Sequence, residues 1–313
     1  PPLPPPPSLP PSPPRPPPAL PPSPPPPNPC LALLGPGSDP LGAPPVLGCT
    51  HLINADLRWA DLRKAKLDWM DMTGARLDGA DLTETTFTHA DCSGVSFAQA
   101  KLNRADMSDT IIRNADFSGA DLRDVLFTNM HDAQGVNFTG TLFSGSSITD
   151  SWFQNSTFSG TVLKNIRMED CKLDGSIFSG RVDFSSVMIV DTSFEYCSFR
   201  NANMANTDLR DLHARGADFS GAVLKGSYLP LADLRQITAV GADFSNVHLE
   251  QTDFSGSHLN KASFVGANLG QAVFDGADCH QADFLNAGKV ELASFKNIKG
   301  QPISLEPALW KGP

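Results

Sequence analysis

The sequence predicts a solenoid, a fold built from short stacked units, preceded by an arm in the polyproline II conformation. Two observations predict it. A large apolar residue recurs at every fifth position from Leu52 onward, and the residue two places before it is small. Residues 1–29, in front of the repeat, are nearly all proline. Neither the 3.6-residue period of a helix nor the two-residue period of a lone strand gives a five-residue repeat.

The repeat runs in four frames, and we call the large apolar residue of each unit its centre. The frames hold 16, 9, 21 and 2 centres, 48 in all, and run from Leu52 to Phe127, from Phe138 to Phe178, from Phe184 to Phe284, and over Val290 and Phe295. Each unit turns its centre and its small residue inward and buries them by stacking on its neighbours. The one-residue slips predict bulges or loops at 129–135, 180–182 and 285–289.

The units resemble the pentapeptide repeat family, whose pattern is A-(D/N)-(L/F)-x-x. Residues 55–57 and 80–82 read Ala-Asp-Leu, and residues 242–244 read Ala-Asp-Phe. The resemblance covers residues 51–300 and implies an all-β fold, a right-handed quadrilateral parallel β-helix of about 12 coils. Residues 30–50 then form an N-terminal cap or linker, and residues 301–313 a C-terminal cap or tail. The expected core ladder includes Leu57, Leu77, Phe97, Phe117, Phe244, Phe254, Phe264 and Phe274.

The arm, residues 1–29, is expected in the polyproline II conformation because proline fixes φ and lacks an N–H. At ~3.1 Å per residue it spans about 90 Å. It resembles the hydroxyproline-rich segments of extensin-type plant and green-algal glycoproteins, which implies proline hydroxylation and O-glycosylation. The candidate positions are Ser12, Pro13, Pro14, Ser23, Pro24, Pro25, Pro26 and Pro27. A plain linker or a ligand for SH3 or WW domains is the alternative.

The cysteines and sequons give further expectations. Cys30 and Cys49 lie outside the repeat and either form a disulfide, worth roughly 3 kcal/mol, or stay as free thiols. The other four cysteines occupy inward positions and are expected to be buried thiols. Asn137 and Asn155 begin N-glycosylation sequons.

No catalytic triad, phosphate loop or paired-carboxylate cleft is apparent, so we expect no enzyme, no cofactor and no metal site. Stacked His213, Asp233 and Asp253 offer possible metal ligands, but a solvated face is the preferred interpretation. The net charge of −10 disfavours nucleic-acid binding. Exposed aromatic residues are candidates for contacts with proline or sugar, namely Trp59, Trp69, Trp152 and Tyr228.

Three functions remain open. The leading hypothesis is a non-enzymatic secreted structural rod, a subunit of an extracellular glycosylated fibre or a cell-surface or cell-wall assembly. In it the rods associate head to tail and the arm contacts neighbours. The alternative is a monomeric protein-binding scaffold in an organelle lumen or at the cell surface. An acidic, DNA-mimicking topoisomerase inhibitor, which the family resemblance suggests, is third. No apolar run is long enough for a membrane span.

Overall fold

The computed structural model describes residues 51–180, 182–184 and 186–305. The predicted polyproline II arm, Cys30, Cys49, and the hydroxylation and O-glycosylation candidates between Ser12 and Pro27 all lie outside these residues. Within them the chain is a right-handed, four-sided parallel β-helix, as the sequence predicts. Each side of a coil presents one outward residue, which pairs in parallel with its counterpart one coil later, as Asp56 does with Arg76.

We number the four sides by their first outward residues, which are His51 for side 1, Asp56 for side 2, Asp61 for side 3 and Lys66 for side 4. On side 1 the outward positions follow one another at 51, 71, 91, 111, 131–132, 152, 172, 193, 213, 233, 253, 273 and 294. These thirteen positions are separated by twelve coils. At about 4.8 Å per coil the rod is roughly 58 Å long.

Regular strands occur only on side 4 among the described residues, and they stack in the order β1-β2-β3-β4. Their bounds are Leu126–Thr128 for β1, Ser147–Thr149 for β2, Arg167–Glu169 for β3 and Met188–Val190 for β4. Elsewhere most sides form a single parallel bridge, because a turn follows two residues later. One 3-10 helix spans Val290–Leu292.

The corners are four-residue turns that begin at a centre. In the first, the Ala55 N–H donates to the Leu52 carbonyl at 3.0 Å. The third residue has a positive φ, 54° at Asn54 and 62° at Trp59, as a type II turn requires. Glycine and asparagine tolerate this conformation best, yet tryptophan also occupies it here. In the sequence this position is merely variable, so its demand for a positive φ could not be predicted from the residue types there.

The interior is filled by the centres. The ladder residues named from the sequence are buried, with Leu57 5% exposed and the other seven 0% exposed. Phenylalanines one coil apart stack face to face, such as Phe254 on Phe274 at 5.0 Å between centroids. Rings on opposite sides meet edge to face, as Phe254 and Phe264 do at 5.6 Å. Two parallel stacks therefore interlock across the shaft, an arrangement that aromatic quadrupoles favour.

Serine and threonine replace alanine at many small inward positions, and their hydroxyls are satisfied there. Thr85 donates to the carbonyl of Leu62 at 2.8 Å, and Ser176 donates to that of Phe153 at 2.8 Å. Each bond joins one coil to the preceding one. A buried hydroxyl costs free energy unless it finds such a partner.

The frame slips have three structural forms. At the first slip, His131 and Asp132 together take the place of one outward residue. The preceding coil bonds to the second of them, since the Ile112 N–H donates to the Asp132 carbonyl. The following coil bonds just before the first, since the Trp152 N–H donates to the Met130 carbonyl. This is a β-bulge. Ala133 is 0% exposed and fills the centre that follows. The count of 48 centres omitted this unit, because alanine gives no bulky signal.

The second slip lengthens the corner between Phe178 and Val182 by a single residue. The coil from Val162 to its partner Asp183 is consequently longer than the next coil, from Asp183 to its partner Asn203. The third slip is the 3-10 helix, which follows Lys289 with its φ of 56°. Val290, which the sequence analysis counted as a centre, is therefore only half-buried there. Parallel pairing continues beyond it to Ile303, which is 50% exposed.

Candidate protein-interaction surface

Outward residues form columns with one residue per coil. Asp61, Asp81, Lys101 and Asp121 follow one another on side 3, as the 20-residue spacing predicts. His213, Asp233 and Asp253 likewise stack on side 1. Within residues 51–180, 182–184 and 186–305, no three histidine, cysteine or acidic side chains converge as metal ligands. The chemistry available to the rod is therefore that of its exposed columns.

Many aspartates are neutralised within their own unit. In Asp-Leu-Arg units the arginine folds back and donates two hydrogen bonds to the aspartate two residues earlier, from Nε at 2.7 Å and Nη2 at 2.6 Å in Arg58 and Asp56. This pairing, chiefly its hydrogen bonds, lowers the pKa of Asp56 to about 2. The same pairing occurs at Asp61–Arg63, Asp121–Arg123, Asp208–Arg210 and Asp233–Arg235. The negative charge of the rod is thus locally compensated on its flat sides.

One corner keeps its acid uncompensated. The corner between sides 4 and 1 begins with eight residues, one per coil, which we call the acidic edge: Trp69, His89, Asp109, Asn129, Asp150, Asp170, Asp191 and Asp211. All have positive φ, from 44° at Asp191 to 61° at Trp69. Among the described residues, no lysine or arginine forms an ion pair with Asp170 or Asp191. Like charges about 4.8 Å apart repel, so this edge attracts cations.

Aromatic rings occupy the start of this edge and lie beside its middle. Trp69 is 68% exposed and lies against His89, with 4.1 Å between ring centroids. Further along, Trp152 lies two residues beyond Asp150 and packs on His131 at 4.7 Å. The His131 Nε2 also contacts Asp150 Oδ1 at 3.1 Å, and the Lys172 ammonium sits 4.4 Å from the Trp152 ring centre. The edge therefore combines flat rings with carboxylates.

Trp59 occupies the diagonally opposite corner, between sides 2 and 3. It is 73% exposed, and its ring lies over Gly79, where an added Cβ atom would overlap the indole. Tyr196 lies over Gly216 in the same way, and a Cβ atom there would come within 2.6 Å of its ring. Corner side chains thus lean one coil toward the C-terminus, and glycine makes room for them. Trp59 and Trp69 are on opposite edges, as their spacing predicts.

Side 4 carries a second surface, an apolar patch beside a cleft. The strands β1 to β4 join one another through three paired residues each, but β4 joins the next coil through the single bridge Met188–Asp208. A cleft of about 510 Å³ opens at this junction, lined by Ser186, Val187, Met188, Ile189, Val190, Asn206, Asp208 and Arg210.

Three exposed side chains lie in and beside this cleft. Met188 is 51% exposed, Tyr228 is 40% exposed and Leu231 is 55% exposed. Tyr228 stands two coils after Met188 on the same column, and the Arg210 guanidinium lies 5.3 Å from its ring centre. We call Met188, Arg210, Tyr228 and Leu231 the side-4 patch. Of these four residues, only Tyr228 was a candidate from the sequence, because the candidates there were aromatic residues and the other three are not aromatic.

The remaining sequence-derived candidates are separate from these surfaces. The Asn137 amide donates to Asp116 Oδ1 at 2.9 Å and accepts from the Thr139 hydroxyl at 2.6 Å, whereas Asn155 is exposed at a corner. Cys92, Cys171, Cys197 and Cys279 are buried free thiols. Burial raises the pKa of Cys171 to about 12. In the described part of the chain, no helix has the length and apolar character needed to cross a membrane.

Comparison with known proteins gives a family match. The family model for pentapeptide repeats matches eight times and covers more than half of the chain, at residues 50–88, 90–129, 132–160, 189–226, 197–236, 217–256, 240–276 and 252–287. A comparison with curated proteins finds no match.

Solved structures show weak likeness. A trypsin-treated form of QnrB1, a plasmid-mediated fluoroquinolone resistance protein, is 20% identical over 54% of this chain and 91% of its own, with a TM-score of 0.41. HetL, involved in heterocyst differentiation regulation in the cyanobacterium Nostoc sp. strain PCC 7120, is 21% identical over 80% of this chain and 90% of its own (TM-score 0.28). A protein from the Arabidopsis thaliana thylakoid lumen is 21% identical over 36% and 66% (TM-score 0.13).

Proposed function

Because the chain belongs to the pentapeptide repeat family, we propose that it is a non-enzymatic scaffold that binds another protein through the side-4 patch. The observation that carries the proposal is the exposure of Met188, Tyr228 and Leu231 beside a cleft, with Arg210 over the tyrosine ring. Tyrosine and arginine are enriched among the residues that dominate protein interfaces, and methionine is enriched at interfaces generally. The rod supplies a rigid backing, since its core is filled by stacked phenylalanines.

The shape of this surface favours a protein partner over a small substrate. The cleft is bordered by side chains that project from a nearly flat side, and its two charged groups, Asp208 and Arg210, already pair with each other at 2.5 Å. A partner therefore gains mainly from apolar contact with the methionine, tyrosine and leucine. Truncation of a central interface residue of this kind typically costs ~2 kcal/mol or more of binding free energy.

The test compares two charge substitutions of similar exposure. Met188→Asp on side 4 and Leu142→Asp on side 3, where Leu142 is 41% exposed, both place a carboxylate on an outward column. We expect Met188→Asp and Tyr228→Ala each to weaken the affinity for the partner at least about 30-fold, the equivalent of ~2 kcal/mol. Recovery of the partner from native extract should fall accordingly. Leu142→Asp should leave recovery unchanged. Equal recovery with all three variants would refute the side-4 assignment.

A second candidate is the secreted, glycosylated structural fibre. The observation in its favour is apolar exposure at both ends of the described rod: Ile53 is 48% exposed in the first coil, and Leu292 and Ile303 are 56% and 50% exposed in the last. Such ends suit head-to-tail association, in which the arm would lie on the next subunit. Glycans at exposed Asn155 and on the arm would accompany secretion to a wall, a surface or an organelle lumen.

Electron microscopy of the native protein separates the two candidates. Filaments whose axial repeat equals the rod length, roughly 58 Å for twelve coils, support the fibre, and discrete rods at high concentration support the scaffold. Intact mass measurement adds a second readout, since hydroxyl groups and pentoses on the arm require a secretory route. A DNA-mimicking role fits the rod less well, because five Asp-Leu-Arg units neutralise their own carboxylates.

A further inference from the structure

We propose that the proline-rich arm, residues 1–29, docks along the acidic edge of its own rod. This docking is independent of which protein the side-4 patch binds. Three properties of the edge carry the inference: it begins where the arm joins the rod, it presents the exposed Trp69 ring with a coil spacing that suits polyproline II, and its uncompensated charge matches the only charged side chain in the arm.

The position of the attachment point comes first. His51, the first outward residue of side 1, pairs with Asp71 directly below it, and Trp69 lies two residues before Asp71 at the corner. The chain therefore enters the rod at the head of the acidic edge, about one coil above the exposed Trp69 ring. The segment between arm and rod, 30–50, is long enough to let the arm reverse direction and run down the edge. Tethering raises its effective concentration at this edge to the millimolar range.

The spacing of the rings comes second. A polyproline II helix presents the same face every three residues, or about 9.3 Å, which nearly equals two coils of the rod, about 9.6 Å. Trp152 is half-buried beside the edge on side 1, with Lys172 near its ring. It lies about four coils below Trp69, roughly 19 Å, so about six residues of the arm span the distance from the exposed ring to it. Proline-rich segments bind by laying their rings against exposed aromatic side chains. The exposed Trp69 ring, supported by His89, offers such a platform.

Charge complementarity comes third. Arg15 is the only charged side chain among residues 1–29. With the run of four prolines that begins at Pro24 placed on Trp69, Arg15 lies nine residues further along, about 28 Å. Asp170 and Asp191 lie about five and six coils below Trp69, or roughly 24 and 29 Å. The guanidinium thus reaches the aspartates of the edge that lack a lysine or arginine partner in the described residues.

The experiment measures hydroxyl-radical oxidation of individual tryptophans by mass spectrometry in the full chain. The comparison variant replaces all four prolines of that run, Pro24→Gly through Pro27→Gly, which abolishes polyproline II but keeps the chain length. If the arm's intrinsic Kd is 0.5 mM or tighter, an effective concentration of ~1 mM keeps it docked at least about two-thirds of the time. Trp69 should then oxidise about threefold more slowly in the wild type than in the variant.

Trp59 is the internal control, because it is similarly exposed on the opposite edge. Its oxidation rate should be the same in both proteins, and the protection of Trp69 should persist on hundredfold dilution. Equal Trp69 rates in the two proteins, or matching protection of Trp59, would overturn the proposal. Protection lost on dilution would also overturn it, since the arm would then belong on a second copy, as in the fibre.

A charge variant tests the register. Arg15→Glu, and separately the pair Asp170→Asn and Asp191→Asn, should each reduce the protection of Trp69 at least about twofold at low salt. Asparagine tolerates positive φ, so the paired variant keeps the corner geometry. Protection unchanged by Arg15→Glu would overturn the placement of the arm along the acidic part of the edge.

Discussion

Phe254 provides the most direct energetic test of the interlocked core. Its ring is 0% exposed, stacks on Phe274 at 5.0 Å with a 7° interplanar angle, and meets Phe244 and Phe264 edge to face at 5.6 Å. A buried Phe→Ala substitution costs about 3–5 kcal/mol, depending on how far the site can collapse. Here the backbone rungs above and below hold the neighbouring rings apart, so we expect about 4–5 kcal/mol for Phe254→Ala.

The matched control is the adjacent outward residue. Asp253 Oδ1 accepts from the Ser255 N–H at 2.8 Å, and its carboxylate lies 3.9 Å from Arg235 Nε. Asp253→Asn keeps the acceptor and removes only an exposed ion pair, so it should change the free energy of unfolding by a few tenths of a kcal/mol.

The assay is urea unfolding at pH 7, combined with hydrogen exchange, since coils couple only to their neighbours and the loss should be local. Protection should fall first in coils around Phe254 and persist in the earliest coils. A loss of less than about 1.5 kcal/mol for Phe254→Ala, or a loss equal to that of Asp253→Asn, would refute the assignment of Phe254 as inward and Asp253 as outward.

Three further predictions concern the corners, the thiols and the ion pairs. Gly79→Ala should destabilise the rod by about 0.5–1 kcal/mol more than Gly94→Ala, because both strain a positive φ but only the first displaces an indole ring; equal urea midpoints would contradict this. Cys171 should resist a thiol reagent at pH 8 until urea is added, since burial raises its pKa to about 12; fast labelling of Cys171 itself in the folded protein, located by peptide mapping, would count against it. The pKa of Asp233 is lowered chiefly by the hydrogen bond from Arg235, so Arg235→Gln should lower the free energy of unfolding at pH 7. A lowered carboxylate pKa contributes its full stabilisation above the unfolded value near 4 and loses it as the pH falls through the folded value. The cost should therefore shrink as the pH falls toward 2, and a cost that grows in acid would exclude the pairing.

Much of the fold could be predicted from the sequence, because the signal of each unit is local. A bulky residue at every fifth place identifies Phe254 and Phe274 as inward, and the 20-residue step places Asp61 above Asp81. The bulge was predicted in position but not in form. Ala133 was not counted as a centre, because it is small. It occupies a buried centre position only because the extra residue of the bulge just before it shifts the frame by one.

The surfaces were less accessible to sequence reasoning. To find the acidic edge one must know that the residue two places after each centre turns outward at a corner. One must also know that Asp191 is the fourth corner after Asp170 despite a slip of one residue. The cleft at Met188 arises because pairing over three residues ends at β4. No single residue type in the sequence predicts that end. Both features depend on alignment between coils, so they appear only once the register across each slip is known.

The measurement that tests the account most directly is a cross-link between outward residues. Leu142 and Val162 pair on adjacent coils of side 3, whereas Trp152, midway in sequence, lies on side 1. With Cys30→Ser and Cys49→Ser in both proteins, a short bismaleimide should join Leu142→Cys to Val162→Cys rapidly within one chain, because the two positions stand about 5 Å apart. The pair Leu142→Cys and Trp152→Cys should remain unlinked, since the filled core separates opposite sides. Equal cross-linking of the two pairs would contradict the four-sided coil on which both proposed surfaces rest.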